Sequence, residues 1–448
     1  MTAAMPLTGY RVLDLGRVLA APWACQMLAD LGAEVIKVER PGEGDGARVY
    51  GPPFLRTRSG EQTRNSPMYL SANRNKKGIA VDLSVPQGQK LILDLARQCD
   101  VVVENYKVGD LKRYGLDYES VKAVNPDIVY CSITGFGQTG PYAHRLGYDP
   151  IFQAMSGLMA LTGHPDGAPG AGPMKAGPSI SDIIGGLFAD VAILAALLRR
   201  ERHGAGSEHI DLSLLDASVA AMSHAAMHYL ISGEVPVRRG TGGNGGVPAQ
   251  AYDCADGSLF ISAGTDQQFY RMCAAMNDPE LALDPRFRTQ LGRMQHRQDI
   301  VGKVAELAKR FKRDDLLDRL ERADVPAAPI YDQQQVFDDA QIRHRGMVVE
   351  TPHDEAGSLR MVANPIRFAE HPIGTYRAPP AIGEHTRVVL RERLALSNAE
   401  IDALIAEGVV SESARTGSAE EVRSVGRPGS LSDARACSCA GAGFLQVA

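Results

Sequence analysis

The sequence shows no excess of positive charge. Its 448 residues include 48 Lys and Arg against 53 Asp and Glu, which gives a formal net charge of −5. Because nucleic-acid-binding proteins commonly carry a basic patch or stripe, this balance argues against a nucleic-acid partner. Hydrophobic residues make up 44% of the chain and charged residues 23%, as in a soluble globular protein.

Signals for secretion and for membrane insertion are also missing. Residues 1–6 contain no basic stretch followed by an apolar run, so we expect no secretory signal. The longest apolar stretch, residues 183–198, is interrupted by Asp190 and is short for a membrane span. We therefore expect a cytoplasmic protein with no membrane partner.

Cysteine is scarce and irregularly spaced. The seven cysteines are Cys25, Cys99, Cys131, Cys254, Cys273, Cys437 and Cys439. This spacing fits neither disulfide pairing nor a zinc site, so we expect reduced thiols. Metal-binding patterns such as H-E-x-x-H and C-x-x-C are absent, and we expect no metal and no permanently bound cofactor.

Several common catalytic and nucleotide-binding motifs are missing as well. Neither the G-x-S-x-G elbow nor the P-loop occurs. A literal G-x-G-x-x-G lies at residues 240–245, but Pro248 follows and no helix begins there, so it is not a dinucleotide fingerprint. This glycine run is expected to be either a flexible loop or a mobile cover over an active site.

What the first part of the chain does contain is an alternation of strands and helices. The pattern predicts strands at residues 10–15, 35–39, 79–83, 101–106 and 128–134, with helices at 22–31, 86–97 and 118–124. Such alternation predicts an α/β fold with a doubly wound, mostly parallel sheet. Ligands bind such sheets beyond the carboxyl ends of the strands, where the loops 16–20, 39–42 and 104–106 lie.

The rest of the chain predicts a second domain and a return to the first. A strand at 210–214 and a helix at 216–231 complete the first part of a large domain, residues 1–232. A hairpin at 251–263 and helices at 267–276 and 298–321 predict a smaller α+β domain, residues 233–330. Residues 331–410, with short strands near 347 and at 359–368 and a capped helix at 398–407, are expected to rejoin the large domain. Residues 411–448 lose their apolar periodicity and are expected to be disordered.

Asp182 stands at the entrance to the most apolar segment of the chain. Residues 183–198 are long enough for about four helical turns and are apolar on all sides, as in a buried helix. One interpretation of Asp182 is an N-cap, where Asp is favoured and suits the helix dipole. The other is a nucleophilic carboxylate at a buried helix start, with Gly185 and Gly186 leaving room for a substrate. The segment by itself favours the cap.

Basic residues near the predicted strand ends and in loops are candidate phosphate contacts. They are Arg40, Arg74, Lys76, Lys77, Lys112 and Arg113. Each alone is more typical of a solvated surface charge. Together they favour an anionic nucleotide, but only as a class of ligand.

Six motifs occur in an order that is typical of one family. They are residues 31–45, Asn75-Lys76, residues 103–106, residues 147–154, Ser181-Asp182 and residues 383–386. In these motifs the chain resembles the class III CoA-transferases, the family of formyl-CoA transferase, carnitine CoA-transferase and α-methylacyl-CoA racemase. The resemblance covers about residues 7 to 410. It implies a Rossmann-like large domain, a small domain, an interlocked homodimer, and coenzyme A thioesters as substrates.

The resemblance also implies roles for individual residues. Asp182 matches the catalytic aspartate of the family. Coenzyme A-binding positions match Val18, Leu19, Ala20, Arg40, Val81, Leu83, Asn105, Tyr106, Arg113, Tyr148 and Asp149, and a substrate-covering loop matches Gly242, Gly243, Gly245 and Gly246. A catalytic glutamine of formyl-CoA transferase falls at Leu19, which argues against formyl or oxalyl substrates.

The resemblance further indicates acyl transfer to a dicarboxylate. The racemase branch has a histidine where this chain has Tyr148, and racemisation needs an acid and a base on opposite faces of the α-carbon. The strings at residues 71–81, 130–141, 158–163 and 267–269 resemble transferases that use succinyl-CoA as donor and glutarate or another dicarboxylate as acceptor. We expect this reaction to run through an aspartyl-CoA thioester. The alternatives are an acyl-CoA racemase or isomerase and a non-catalytic CoA-binding protein.

Overall fold

The computed structural model describes residues 5–413 with the exception of residues 205 and 244. Most of the predicted disordered tail, residues 414–448, lies outside the described residues. The strands are β1 Arg11–Asp14, β2 Glu34–Glu39, β3 Lys77–Val81, β4 Val101–Glu104, β5 Val129–Thr134, β6 Glu208–Ser213, β7 Ala249–Asp253, β8 Ser258–Ser262, β9 Ala327–Pro329, β10 Val348–His353, β11 Gly357–Val362 and β12 Val410–Ser411.

The helices alternate with these strands. They are α1 Ala20–Asp30, α2 Pro67–Ser71, α3 Pro86–Ala96, α4 Asp110–Arg113, α5 Tyr118–Val124, α6 Asp149–Met155, α7 Leu158–Leu161, α8 Ile180–His203, α9 Leu214–Ala221, α10 Ser223–Ser232, α11 Asp266–Ala275, α12 Gln290–Gln295, α13 Arg297–Ala308, α14 Arg313–Arg322, α15 Gln333–Asp338, α16 Ala340–His344, α17 Thr386–Leu394 and α18 Asn398–Ala406. Short 3₁₀ helices occur at Gly46–Val49 and Pro279–Ala282.

The central sheet is mostly parallel, which confirms the predicted α/β class. Its strand order is β12-β3-β2-β1-β4-β5-β6. All strands in this order except β12 run parallel to one another. The order 3-2-1-4-5-6 is that of the doubly wound nucleotide-binding sheets. The chain order reverses between β1 and β4, so a crevice is expected at their carboxyl ends.

Each face of the sheet has its own apolar core, because successive strand residues point to opposite faces. Val12 packs in the core formed with α1 and α8. Leu13 packs in the core formed with α3, α5, α17 and α18. Val101, Val102 and Val103 of β4 are all fully buried, as expected for a parallel strand covered on both faces.

A second, antiparallel sheet has a separate core. The predicted hairpin is present as β7 and β8, and β9 pairs with β8 on its other edge. Helices α11, α13 and α14 contribute Phe269, Ile300 and Leu316 to an apolar cluster that contains no residue of the central sheet. The boundaries at residues 232 and 330 remain predictions.

Two helices predicted as single are broken in the structure. The helix predicted at 216–231 is divided into α9 and α10 at Ser223, whose φ is +46°. The helix predicted at 298–321 is divided into α13 and α14, and the Asp256 side chain accepts a hydrogen bond from the Arg313 backbone N–H at 2.7 Å. This contact comes from the β7–β8 turn, so no local pattern could indicate it.

The C-terminal part of the described chain returns to the central sheet. β12 pairs antiparallel with β3, Val410 opposite Val81 and Ser411 opposite Ala80. The Glu412 carboxylate forms an ion pair with Arg387 of α17 at 2.7 Å. The prediction that disorder begins at residue 411 is therefore wrong for Ser411 and Glu412, which are held by contacts distant in sequence.

Helix α8 is longer and less buried than predicted. It begins at Ile180, with Ser179 as its N-cap, so Asp182 occupies the third helical position and is not the cap. The helix is not apolar and buried on all sides, because Phe188 and Val191 are 44% and 65% exposed. By length and composition it could cross a membrane, but a core helix passes the same test, and α8 packs on α1, β5, β6 and α9.

Candidate active site

Asp182 lines a cavity of about 550 Å³ at the carboxyl ends of β1, β4 and β5. We call it the Asp182 cavity. Its wall includes the first loop of the sheet and the segment before α6. Of the residues expected to bind coenzyme A, Val18, Leu19, Ala20, Asn105, Tyr106 and Tyr148 line it.

An adjoining cavity of about 560 Å³ lies beside the ends of β2 and β3. We call it the Arg40 cavity. Of the residues expected to bind coenzyme A, Arg40, Val81, Leu83 and Tyr106 line it. Arg17, Gly46, Val49 and Tyr106 line both cavities, so the two spaces adjoin at these residues. An extended ligand with a nucleotide at one end and a reactive group at the other could occupy both.

The start of α8 is fixed by α6 through a short hydrogen-bond network. The Ser181 backbone N–H donates to Asp149 Oδ1 at 2.8 Å, and Gln153 Nε2 donates to Asp149 Oδ2 at 2.6 Å. The Ala176 backbone N–H donates to Gln153 Oε1 at 2.8 Å. Asp149 is therefore buried beside the start of α8, the helix that carries Asp182, and it lines neither cavity, contrary to the expectation that it binds coenzyme A.

The Asp182 carboxyl group is a weaker acid than an ordinary aspartate. Burial, followed by the nearby Asp149 carboxylate, raises the pKa of Asp182 to about 7. Both effects disfavour the ionised form, while the N-terminus of α8 favours a negative charge. A carboxylate with a pKa near neutrality is more basic, and hence more nucleophilic, than an ordinary aspartate when it is ionised.

Gly185 and Gly186 do not make room for a substrate, contrary to the prediction. A Cβ on Gly186 would lie 3.0 Å from the Ala20 carbonyl oxygen, and one on Gly185 would lie 2.3 Å from Leu214 Cδ2. The two glycines therefore allow α8 to pack closely against the starts of α1 and α9. They bring Asp182 near the first loop of the sheet.

The first loop, residues 16–19, is held in a strained conformation. Val18 has a φ of +65°, a left-handed conformation that β-branched residues rarely adopt. The Asp45 carboxylate accepts a hydrogen bond from the Val18 N–H at 3.0 Å and pairs with buried Lys37 at 2.8 Å. Backbone strain of this kind persists only where the surroundings enforce it, and it is frequent at functional sites.

The candidate phosphate contacts separate into two groups. Arg74 and Lys76 are buried in ion pairs with Asp30 and Asp14, so they are neither solvated charges nor available to a phosphate. Lys77 pairs with Glu34 at 2.7 Å. The remaining three, Arg40, Lys112 and Arg113, lie at the surface.

Two sets of expected contacts lie away from both cavities. Arg113 pairs with Asp110 at 2.7 Å and borders neither cavity. The glycine loop, of which Gly242, Gly243, Gly245 and Gly246 are described, packs on the second sheet, where a Cβ on Gly246 would lie 2.3 Å from Gly264 Cα. Within the described part of this single chain, the loop does not reach the Asp182 cavity.

Three cationic residues of the Asp182 cavity were not selected from the sequence. They are Arg17, Lys107 and Arg145. Arg17 and Lys107 are next in sequence to residues that were expected to bind coenzyme A. Their position just after β1 and β4 could therefore have identified them as residues of the site. Arg145 precedes Tyr148 in an irregular segment, and no pattern there indicated a cavity wall. Among the described residues no group of three or more His, Cys, Asp or Glu side chains could hold a metal ion.

The fold and this site together are those of a CoA-transferase. The family model of CoA-transferase family III matches residues 7–386, so the chain belongs to that family and is an enzyme of that class. The succinyl-CoA:glutarate CoA-transferase of Mus musculus is 44% identical over 410 residues, 91% of each chain. The succinate–glutarate CoA-transferase of Agrobacterium fabrum is 43% identical over 387 residues, 86% of this chain and 95% of that one.

Solved structures agree with this assignment. The crystal structure of a CAIB/BAIF family protein from Brucella suis superposes with a TM-score of 0.78 and 41% identity. It covers 87% of this chain and 100% of the other. The sequence resemblance to the class III CoA-transferases is thereby confirmed.

Proposed function

We propose that this enzyme transfers CoA from succinyl-CoA to glutarate or a similar dicarboxylate, with Asp182 as nucleophile and carrier. The observation that carries the proposal is the position of Asp182, at the first turn of α8 in the wall of a large cavity and with a pKa raised to about 7 by burial and Asp149. The relatives that match over most of the chain are named for this donor and acceptor.

The first half of the reaction moves CoA onto the enzyme. The ionised Asp182 carboxylate attacks the carbonyl carbon of succinyl-CoA, which gives a mixed anhydride and the CoA thiolate. The thiolate then attacks the aspartyl carbonyl carbon, which forms an aspartyl-CoA thioester and releases succinate. No proton is gained or lost, and the thioester bond is conserved.

The second half repeats these steps with the acceptor. The acceptor carboxylate attacks the aspartyl-CoA carbonyl carbon, which gives a second mixed anhydride and free thiolate. The thiolate then attacks the acceptor's carbonyl carbon, so that glutaryl-CoA leaves and the Asp182 carboxylate is restored. The positive end of α8 stabilises the negative charge that develops on the oxygens in each addition step.

The proposal includes a homodimer. Helices α8 and α10 and the following segment expose large apolar side chains: Phe188, Val191, Leu230, Ile231 and Val235 are 44% to 79% exposed. Large exposed apolar side chains of this number are typical of an interaction site when they form one patch. The rim of the Asp182 cavity is also apolar, with Leu146 77% and Tyr148 66% exposed, and a second copy would shield the anhydride from water.

The remaining expectations belong to the same proposal. Arg40, Val81, Leu83, Tyr106 and Arg113 are proposed to contact the nucleotide half of coenzyme A. The glycine loop at 242–246 is proposed to cover the substrate in the dimer. We further propose a cytoplasmic enzyme that needs neither a metal nor a permanently bound cofactor.

The test is to trap the intermediate. Wild-type enzyme incubated with succinyl-CoA without an acceptor should carry CoA, minus one water, on the peptide that contains Asp182, as measured by mass spectrometry. Asp182→Ala should carry no adduct and should transfer no CoA to glutarate, while its affinity for free CoA stays within about two-fold of wild type. The control Asp216→Asn, which replaces an exposed Asp at the same position of α9, should behave as wild type.

Other results would point to other functions. Incorporation of deuterium at the α-carbon of an acyl-CoA without an acceptor would indicate a racemase or isomerase. Binding of CoA without any adduct or transfer would indicate a non-catalytic binding protein. Transfer by Asp182→Ala at a rate comparable to wild type would refute the assignment of the nucleophile.

A further inference from the structure

We infer that Arg17 binds the distal carboxylate of the dicarboxylate substrate, the one that does not react, and so selects dicarboxylates over monocarboxylates. The inference rests on the proposed function and deepens it. A dicarboxylate bound at Asp182 keeps one full negative charge throughout the reaction, and that charge needs a partner at the far end of a chain of two or three methylene groups.

The Asp182 cavity is lined by cations that form no salt bridge in the part of the chain that the structure describes; Arg17 attracts the buried Glu104 carboxylate, which does not line the cavity. Among the described residues, neither Arg17, Lys107 nor Arg145 forms an ion pair, although all three line the cavity. Within the described part of the chain, the carboxylates in the lining are Asp182 itself and Asp110, which pairs with Arg113. The cavity thus has more positive than negative charge, as a doubly charged acid requires.

Arg17 is the most firmly positioned of the three cations. Its backbone N–H donates to Asn105 Oδ1 at 2.8 Å, and its carbonyl oxygen accepts from Asn105 Nδ2 at 2.7 Å. The next residue, Val18, is held by Asp45 in its left-handed conformation. The Arg17 guanidinium lies 4.0 Å from the centroid of the Tyr106 ring.

The stacked guanidinium suits a carboxylate. When one face of the group lies on an aromatic ring, its edge N–H groups remain available for two parallel hydrogen bonds to one carboxylate. Lys107 offers only a flexible point charge. Arg145 is exposed and stacks on Tyr142 at 3.9 Å, and its backbone is held by a single turn hydrogen bond to the Tyr142 carbonyl oxygen at 2.8 Å.

The helix that carries Asp182 packs against the start of α1, the helix that follows the Arg17 loop. Gly186 lies four residues after Asp182, hence on the same face of α8, and it packs against the Ala20 carbonyl oxygen. Ala20 is the first residue of α1 and directly follows the first loop, which contains Arg17. Close packing between α8 and the start of α1 therefore fixes the position of the first loop relative to Asp182.

The experiment compares glutarate with monomethyl glutarate, which keeps the reacting carboxylate and lacks the distal charge. In Arg17→Gln the kcat/KM for glutarate should fall about 10- to 100-fold, as expected for loss of a charge-assisted hydrogen-bonded pair. The kcat/KM for monomethyl glutarate should change by less than about three-fold. Arg17→Lys should restore part of the preference. The affinity for free CoA, from calorimetry, should stay within about two-fold of wild type.

The matched control is Arg145→Gln, which removes an unpaired arginine from another part of the same cavity and should leave the ratio of the two kcat/KM values unchanged. A loss of CoA affinity in Arg17→Gln, with both acids affected equally, would overturn the inference and assign Arg17 to a phosphate of CoA. The inference would also be overturned if Arg145→Gln, and not Arg17→Gln, lowered the ratio of kcat/KM for glutarate to that for monomethyl glutarate. A wild-type enzyme that transfers CoA to neither acid would instead refute the proposed function.

Discussion

Replacing Asp182 by asparagine is expected to stabilise the ligand-free protein, and to do so more at pH 8 than at pH 5. The reason is the acidity of Asp182, whose pKa is raised from 3.8 to about 7 by burial and by Asp149. In the unfolded chain this carboxyl group ionises freely. In the folded chain it must ionise in a site that disfavours the charge.

The sign and size follow from proton linkage. Between the two pKa values the folded state binds more protons than the unfolded state, so the free energy of unfolding falls as the pH rises from about 4 to 7. At about 1.4 kcal/mol for each pKa unit, the full effect is about 4 kcal/mol above pH 7. This is an upper limit, because Asp182 borders a cavity that water enters. At pH 5 the loss of unfolding free energy is less than half of its value above pH 7.

The assay is thermal unfolding of wild type and Asp182→Asn without ligand at pH 5 and pH 8. The variant should gain a few degrees in Tm at pH 8 and clearly less at pH 5. Asp216→Asn is the control, since Asp216 occupies the same position in α9 but is exposed, and it should show no such pH dependence. An equal gain at both pH values, or a variant less stable than wild type at pH 8, would refute the argument that the folded site disfavours the ionised form of Asp182.

Two further predictions concern the neighbours of Asp182 and the buried charges. The kcat/KM for succinyl-CoA should rise with pH through about 7 as Asp182 ionises. Asp149→Asn should move the midpoint of this rise to lower pH, because it removes a like charge near Asp182. An unmoved midpoint would show that Asp149 does not influence the acidity of Asp182. Lys76→Met should destabilise the fold by about 3–5 kcal/mol, since it leaves Asp14 buried without its partner. Denaturant unfolding checks this, and an unchanged stability together with weakened CoA binding would instead restore Lys76 as a phosphate contact.

The sheet could be predicted because its signals are local. The apolar strands from β1 to β5 and the longer helices between them follow from patterns within a few residues. The capped helix predicted at 398–407 is present as α18, with a capping box formed by Ser397 and Glu400. The strand β12 could not be predicted, because its two residues gain their place by pairing with β3, more than 300 positions earlier.

The site was predictable in outline and not in detail. The loops after β1, β2 and β4 were identified from the general position of ligands in such sheets. Charge alone could not distinguish Arg40, which faces a cavity, from Lys76, which neutralises Asp14 in the interior. Gly185 and Gly186 were misinterpreted for a related reason, since close helix packing and an open pocket both require a residue without a side chain.

The hydrogen bonds around Asp182 join parts of the chain that are far apart in sequence. Asp149 holds Ser181 across 32 positions, and Arg17 is held by Asn105 across 88. Contacts of such separation carry a loop-closure cost that only the assembled fold offsets. On a ribosome or in a partly folded chain, Asp182 is therefore an ordinary solvated aspartate with ordinary acidity. On the proposed mechanism, attack on a thioester therefore requires the completed fold and not the Asp182 side chain alone.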